Sequence, residues 1–323
     1  MSEESCEAAF KVLAKHYTSV KVTNVDNVLN LEELVARSPD LVFLGMEYIR
    51  EDSGSTPGSK IWLTSYFEEH GILYTGSDQS AHLLQRNKPL AKQRVISKRL
   101  NTSPFFVVQS GKLPERGDIS LTYPLFVKPT DRGGGLGIDG DSIAYNFEQL
   151  SSKIRSISAR FQSDSIIEEF LPGQEFSVAV LKDDKTDDYL ALPIELIAPI
   201  DKNGMRILSS KVKVSNTEQA VGVEDVELSI KVKQLALDVF KALGARDYGR
   251  IDIRVDRNGV MNFLEANLLP SLICDYGSFP KACKLNLNLS HEEMILQITR
   301  LGFSHQNDAQ NLPVLALATE AIL

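Results

Sequence analysis

An α/β fold spread over two or three domains is the class that this 323-residue sequence predicts, and three observations carry it. The composition, 43% hydrophobic and 24% charged, is that of an ordinary globular protein with enough chain to bury large cores. The first 77 residues alternate helical patterns with apolar strand runs, which predicts an N-terminal parallel sheet covered on both faces. Beyond them, alternating and continuous apolar strands mix with helical stretches as α+β modules, placing units at residues 1–77, 78–167 and 168–323.

Residues 5–17 read as an amphipathic helix, with Ala9, Val12, Leu13 and His16 at helical spacing. Residues 19–25 alternate as a strand, 30–38 form a short helix, and 40–46 are a continuous buried strand. Such a unit normally opens on a strand; this one opens on its helix, so the sheet is expected to lack its usual first strand. Residues 47–60, rich in Gly, Ser and Pro, predict a mobile loop. A helix over 61–71 closes on Gly71 as its C-cap, with Trp62 and Tyr66 as core.

The second unit opens with a helix over 80–100, interrupted at Pro89, then a strand over 103–108. Residues 123–140 are a buried strand running into a glycine-rich loop, and 146–158 form a helix. Strands follow at 165–170, 174–181 and 189–196, with Phe176, Val178 and Val180 sharing one face. A polar, flexible stretch at 201–221 leads to a helix over 225–244 and then a hairpin at 249–270. A last helix at 290–302 starts on Ser290 as N-cap, and 311–323 form an apolar tail with no readable role.

A net charge of −8, with no basic run interleaved with aromatics, argues against nucleic acid as partner. No apolar run approaches the ~20 residues of a spanning helix, and the acidic, polar start is unlike a signal peptide, so a cytoplasmic protein is expected. Cys6, Cys274 and Cys283 are odd in number and lack metal-ligand spacing, which suits a reducing compartment. His16, His70, His82, His291 and His305 are scattered and form no zinc-type pair.

Three stretches carry chemistry. Gly133, Gly134, Gly135 and Gly137 follow Lys128, and consecutive glycine N–H groups beside a lysine can cradle a phosphate. Their spacing fits neither the Walker A nor the dinucleotide pattern, and a bare turn between strands is the competing reading. Glu168 and Glu169 close an apolar strand, Phe170-Leu171 and Pro172-Gly173 form a connector, and Glu175 heads the next strand. Such a connector can take an adenine edge and a ribose diol, or be a hairpin with charged ends.

The third is the hairpin. Asn258-Gly259 predicts a two-residue turn with Arg257 facing Val260, which sets Asp252 opposite Glu265 and Arg250 opposite Asn267. Alternation then puts Ile251, Ile253, Leu264 and Ala266 on a core face and Arg250, Asp252, Glu265 and Asn267 on a polar one. Two carboxylates and an amide oxygen suit Mg²⁺; a solvated sheet face is the alternative.

Glycine loop, acidic connector and acidic hairpin occur in that order, and with "GILYTGS", "FVKP", "GGGLG", "IIEEFLPGQEFSVAVL", "LPIEL" and "ALGARDYGRIDIRVDRNGVMNFLEANLLP" the chain resembles the ATP-grasp superfamily, more closely its D-alanine–D-alanine ligase family. The resemblance runs from about residue 41 to 300. It implies a three-domain ATP-grasp fold and an ATP-dependent carboxylate–amine ligase that works through an acyl phosphate, with no protein nucleophile. It implies Lys88 and Lys128 as phosphate-contacting lysines, Gly134 and Gly135 as the phosphate cover, Glu168, Glu169, Phe170 and Leu171 as the adenine hinge, and Glu175 as the ribose partner. Asp252, Glu265 and Asn267 become ligands of two Mg²⁺ ions, with Mn²⁺ as the substitute metal, and Arg250 with the backbone N–H at Ser271 stabilises the intermediates. Residues 201–221 become a closing loop, with Lys211 or Lys213 adding charge.

Departures fall on amino-acid recognition. The family's N-terminal strand and glutamate loop align before or at Met1. Gly134 stands where a serine is usual, the closing-loop tyrosine is not evident around Val212 to Val214, and the serine near the second substrate aligns with Gly277 or Ser278. D-alanyl-D-alanine synthesis and ligation of another amino acid or peptide both remain open, and a non-catalytic nucleotide-binding module is the reading from a different class. Family members are often homodimers, which the resemblance extends to this chain.

Overall fold

The structure, a computed structural model, describes residues 2–51, 59–201 and 203–306. Expectations for residues 52–58 and for the 311–323 tail lie outside the described residues, as does residue 202 of the closing stretch.

Helix α1 (Glu3–His16) begins on the Ser2 cap, and α2 (Val28–Ala36) begins on Asn27. Strands β1 (Tyr48–Arg50) and β2 (Lys60–Trp62) pair antiparallel, so part of the expected loop is a ladder. Helix α3 (Leu63–Glu69) follows. The expected N-terminal parallel sheet is overturned: every sheet among the described residues is antiparallel. Residues 19–25 form no strand, and the 40–46 run makes a single parallel bridge, Val42 to Tyr74. The ladder stops there because Leu44 N donates to the Thr75 hydroxyl, 3.0 Å away, instead of to a carbonyl.

The helix expected at 80–100 is two, α4 (Gln79–Arg86) and α5 (Lys88–Ser97). Asn87 ends the first and caps the second, which leaves Pro89 in the first turn of α5, where its missing N–H costs nothing. Next come β3 (Phe105–Val108), β4 (Leu125–Pro129), β5 (Ile143–Ala144), α6 (Phe147–Phe161) and β6 (Ser165–Glu169). The four strands form one sheet in the order β3-β6-β4-β5. Leu125, Val127 and Ile167 turn into a core under Leu150, Ile154 and Ile157 of α6, so alternation sends Phe126, Lys128 and Glu168 to the opposite face.

Strands β7 (Glu175–Lys182) and β8 (Tyr189–Ile197), helix α7 (Ser210–Ser215), strand β9 (Gln219–Gly222), helix α8 (Val226–Ala242), strands β10 (Tyr248–Val255) and β11 (Met261–Asn267), and helices α9 (Ser278–Leu287) and α10 (His291–Ser304) complete the chain. The second sheet runs β11-β10-β7-β8-β9. Its β7 reads as continuous apolar sequence because it serves two cores. Phe176, Val178 and Val180 pack with α8, α4 and α5; Ala179 and Leu181 pack with α1, α9 and α10. No helix among the described residues is long and apolar enough to cross a membrane.

The hairpin register is as expected where it matters and different at the tip. Arg250 pairs with Asn267 and Asp252 with Glu265, but the ladder shifts at Leu264, and Ile253 pairs with Phe263 and Val255 with Met261. The turn spans three residues, 257–259, instead of two. Asp256 accepts from Asn258 N at 2.8 Å and Val260 N at 2.9 Å, and of the three only Gly259 needs positive φ, at 79°. The bulge turns Leu264 out of the expected core face, and fully buried Phe263 takes that place.

Candidate active site

The two larger sheets face each other across a cleft of about 600 Å³, open mouth included. Phe126, Lys128 and Glu168 enter it from one sheet, and Glu175, Asp252, Arg254, Leu264 and Glu265 from the other. The 169–171 connector passes along one end. Of the residues expected at the site, Lys128, Glu168, Glu169, Phe170, Leu171, Glu175, Lys213, Asp252 and Glu265 line this one cleft.

Glu168 is the electrostatic centre of the four-stranded side. Its Oε2 lies 2.8 Å from Lys128 Nζ and its Oε1 2.5 Å from Lys92 Nζ, all three groups being buried. Burial alone would raise the carboxyl, yet the two ammonium groups outweigh it and hold it at about 2. Burial drags Lys92 down to about 8 against the pull of Glu168, while for Lys128 the attraction of Glu168 and Glu265 exceeds the burial cost and raises it. Glu168 is therefore spent on ion pairs, and the apolar surface it leaves at the connector comes from Phe170 and Leu171.

Across the cleft, Arg250 holds Asp252 through two bonds, Nε to Oδ1 and Nη2 to Oδ2, both 2.9 Å, and Ser177 adds a third at 2.9 Å. A carboxylate offers about four lone-pair sites, so Asp252 retains one. Glu265 is more open: its nearest cation, Lys88 Nζ, is 3.6 Å away, and its side chain is 21% exposed. Burial pushes its carboxyl up, but Lys88, Lys213, Lys128 and Arg250 together bring it to about 2. Asn267 stands beside Arg250 by register. Hard oxygen donors at one face of two strands fit a divalent cation of the Mg²⁺ type. Among the described residues no group of three or more His, Cys, Asp or Glu forms a metal cluster, so any such site here depends on that amide and on oxygens from a ligand.

Gly134 and Gly135 sit at φ 62° and 76°, conformations glycine reaches without strain. A Cβ on Gly135 would stand 3.0 Å from Ser210 N and 3.2 Å from the Ser209 carbonyl carbon, so the glycine loop rests directly on the start of α7. That helix brings Lys213 to the cleft and leaves Lys211 exposed and outside it. The Ser271 hydroxyl is engaged at α1: its Oγ lies 3.3 Å from Ser5 Oγ, which also accepts from Leu272 N at 3.2 Å.

Sequence reasoning missed Lys92 and Arg254. Arg254 reaches Glu175 at 2.8 Å and the Arg206 carbonyl at 2.9 Å, with its guanidinium 5.2 Å from the Phe170 ring centroid. Burial still leaves Glu175 raised against that pull. Both had signals: Lys92 is four residues beyond Lys88 on one helix face, and Arg254 continues the alternation of Arg250 and Asp252. Lys88, Lys92, Lys128, Lys213, Arg250 and Arg254 set six cations against the five carboxylates Glu168, Glu169, Glu175, Asp252 and Glu265. In a chain of net charge −8, that local surplus suits a polyanion.

A family model described as "D-ala D-ala ligase C-terminus" matches residues 97–299. Over 240 residues the chain is 28% identical to the D-alanine–D-alanine ligase of Lacticaseibacillus casei (strain BL23), a match covering 74% of this chain and 61% of that relative's length. Over 234 residues it is 31% identical to the D-alanine–D-alanine ligase of Methylacidiphilum infernorum (isolate V4), covering 72% and 71%. In three dimensions it is similar to the crystal structure of D-alanine–D-alanine ligase from Bacillus anthracis complexed with ATP. The TM-score is 0.72 at 19% identity, over 95% of this chain and 96% of that one, a likeness of fold.

Proposed function

Since the chain belongs to the D-alanine–D-alanine ligase family, we propose that it is an ATP-dependent carboxylate–amine ligase joining amino acids through an acyl phosphate. The observation that carries this reading is the hairpin register: Arg250, Asp252, Glu265 and Asn267 share a face, with Lys88 reaching the same carboxylate row.

In this reading Phe170 and Leu171 receive the adenine, and Glu168 and Glu169 serve the hinge as the anchors that fix it. The Glu175 oxygen not held by Arg254 serves the ribose. Lys88, Lys128 and Lys213, with the N–H groups around Gly134 and Gly135, neutralise the phosphates. Asp252, Glu265 and Asn267 would hold Mg²⁺, or Mn²⁺ in its place; bound there, the metal supplies positive charge at the phosphate oxygens. Arg250, kept in orientation by its two bonds to Asp252, offers its remaining N–H groups to oxygens that gain charge as the acyl phosphate forms and as the amine attacks it. The backbone at Ser271 completes that lining. The cleft supplies fixed charge and position, and the two substrates supply nucleophile and electrophile.

The proposal includes small-molecule amino-acid or peptide substrates, a cytoplasmic setting, a homodimer in solution, and units at 1–77, 78–167 and 168–323. The test is release of ADP in the presence of D- and L-amino acids. Amine-dependent ADP with at least one of them supports the ligase; none with any of them sinks it in favour of a non-catalytic module.

A further inference from the structure

The β1–β2 hairpin carries a cluster of positive charge that the ligase chemistry leaves unused. Around the Tyr48 ring, Lys60 Nζ lies 4.5 Å from the centroid, the Arg86 guanidinium carbon 5.0 Å and the Arg50 guanidinium carbon 5.9 Å. Arg50 and Lys60 are register partners, and like charges opposed on antiparallel strands repel. Among the described residues, the neighbouring carboxylates are otherwise engaged. Glu47 is bound to Arg86 at 3.0 Å and to Gln85, and Glu51 is turned to the Ser59 hydroxyl. Neither Arg50 nor Lys60 forms an ion pair with a carboxylate among the described residues.

The cluster is tied to one particular end of the cleft. Gln85, which donates to Glu47, accepts from Leu268 N, the residue after Asn267. Lys88, two residues beyond Arg86, faces Glu265. The 170–173 connector meets the other end of the same hairpin, where Gly173 N donates to Val255 O at 3.0 Å. A nucleotide seated at the connector thus points its phosphates toward the end where the cations gather, the end left for the molecules being joined.

We propose that Arg50, Lys60 and Arg86, around Tyr48, bind a carboxylate on the amino-acid or peptide substrate beyond those of an ordinary α-amino acid, so that the enzyme selects acidic substrates. The inference rests on the ligase reading and sharpens it to a substrate class. Two exposed cations, held over the Tyr48 ring by cation–π contact, are well suited to a planar anion, and the third cation, half-occupied by Glu47, sets its orientation.

Trp62 is the sole tryptophan of the chain; its ring is 5.3 Å from that of Tyr48 and 5.7 Å from Lys60 Nζ, so its emission reports on this site directly. The full chain is titrated with D- and L-glutamate and with the neutral isosteres D- and L-glutamine at matched ionic strength, in parallel with ADP release. Glutamate of one hand should change the Trp62 emission saturably and drive ADP release, with glutamine far weaker. Arg50→Gln and Lys60→Gln, both at exposed positions, should each weaken glutamate roughly tenfold without changing the response to glutamine. Glutamate and glutamine acting alike, a silent Trp62, or affinities unchanged in the double variant would overturn the inference. Glutamate-specific emission without any ADP would instead leave the anion site standing and remove the ligase reading.

Discussion

Replacing Glu168 by Gln removes the one negative charge between two buried lysines while keeping the side-chain shape. A carboxyl held at about 2 in the folded chain, against 4.5 when unperturbed, contributes roughly 3 kcal/mol at neutral pH. The geometry gives a similar figure: stripping one member from a buried ion pair costs about 3–5 kcal/mol, because the remaining charge is left without compensation. Here Lys92 keeps the Thr102 hydroxyl at 2.6 Å, so the lower end, about 3 kcal/mol, is expected. Urea unfolding of wild type and variant measures it. The pH course is a second readout. The folded carboxyl is depressed, so the wild-type advantage is full above pH 4.5, declines as pH falls toward about 2, and is gone below. A difference under about 1 kcal/mol at pH 7, or one that persists unchanged at pH 2, would refute the buried counter-ion argument.

Glu265→Gln should cut amine-dependent ADP release by at least about 100-fold, since the carboxylate faces the reacting end; undiminished turnover would reject the metal assignment. Gly135→Ala and Gly134→Ala both place a side chain at positive φ, at a cost of about 1–2 kcal/mol. Only at 135 does the new Cβ press on residues 208–210, so KM for ATP should rise severalfold more for Gly135→Ala, and equal effects would show that the contact is unimportant. Arg254→Gln strands buried Glu175 and should lower stability by roughly 3 kcal/mol and weaken ATP; a variant as stable as wild type in urea would show that the pair is not needed.

Much of the C-terminal half was legible because its chemistry and its periodicity coincide. The alternation of Arg250 and Asp252 with Ile251 and Ile253 assigns the two faces of β10 without tertiary knowledge. The N-terminal unit was not. Apolar runs such as 40–46 read as parallel strands, but a strand exists only where a neighbour supplies a ladder, and that is set by residues 72–75 and by one threonine hydroxyl. Conversely, β1 and β2 were hidden in a polar stretch whose pairing rests on Tyr48 and Trp62 across the ladder. For Glu168, the sequence supplied a carboxylate beside the connector, yet its two ion pairs depend on Lys92, 76 positions earlier in the chain, and no local pattern links them. The short strands β5 and β9 were likewise invisible, because so few residues carry no periodicity without their ladder partners.

The three-residue turn and the bulge at Leu264 are two irregularities of opposite effect in one hairpin. Each displaces the pairing by one residue, so the segment between them, 253–263, runs one step out of phase with the strand ends. The two offsets cancel, and Asp252 meets Glu265 as if neither existed. Length changes in this hairpin are therefore tolerated only in compensating pairs: a one-residue deletion at the tip demands that the bulge be absorbed, or every side chain beyond it changes face. The active-site row is insulated from its own turn, so that substitutions at Arg257 and Asn258 that keep the residue count leave the row in place, while Asp256 and Gly259 hold the turn itself.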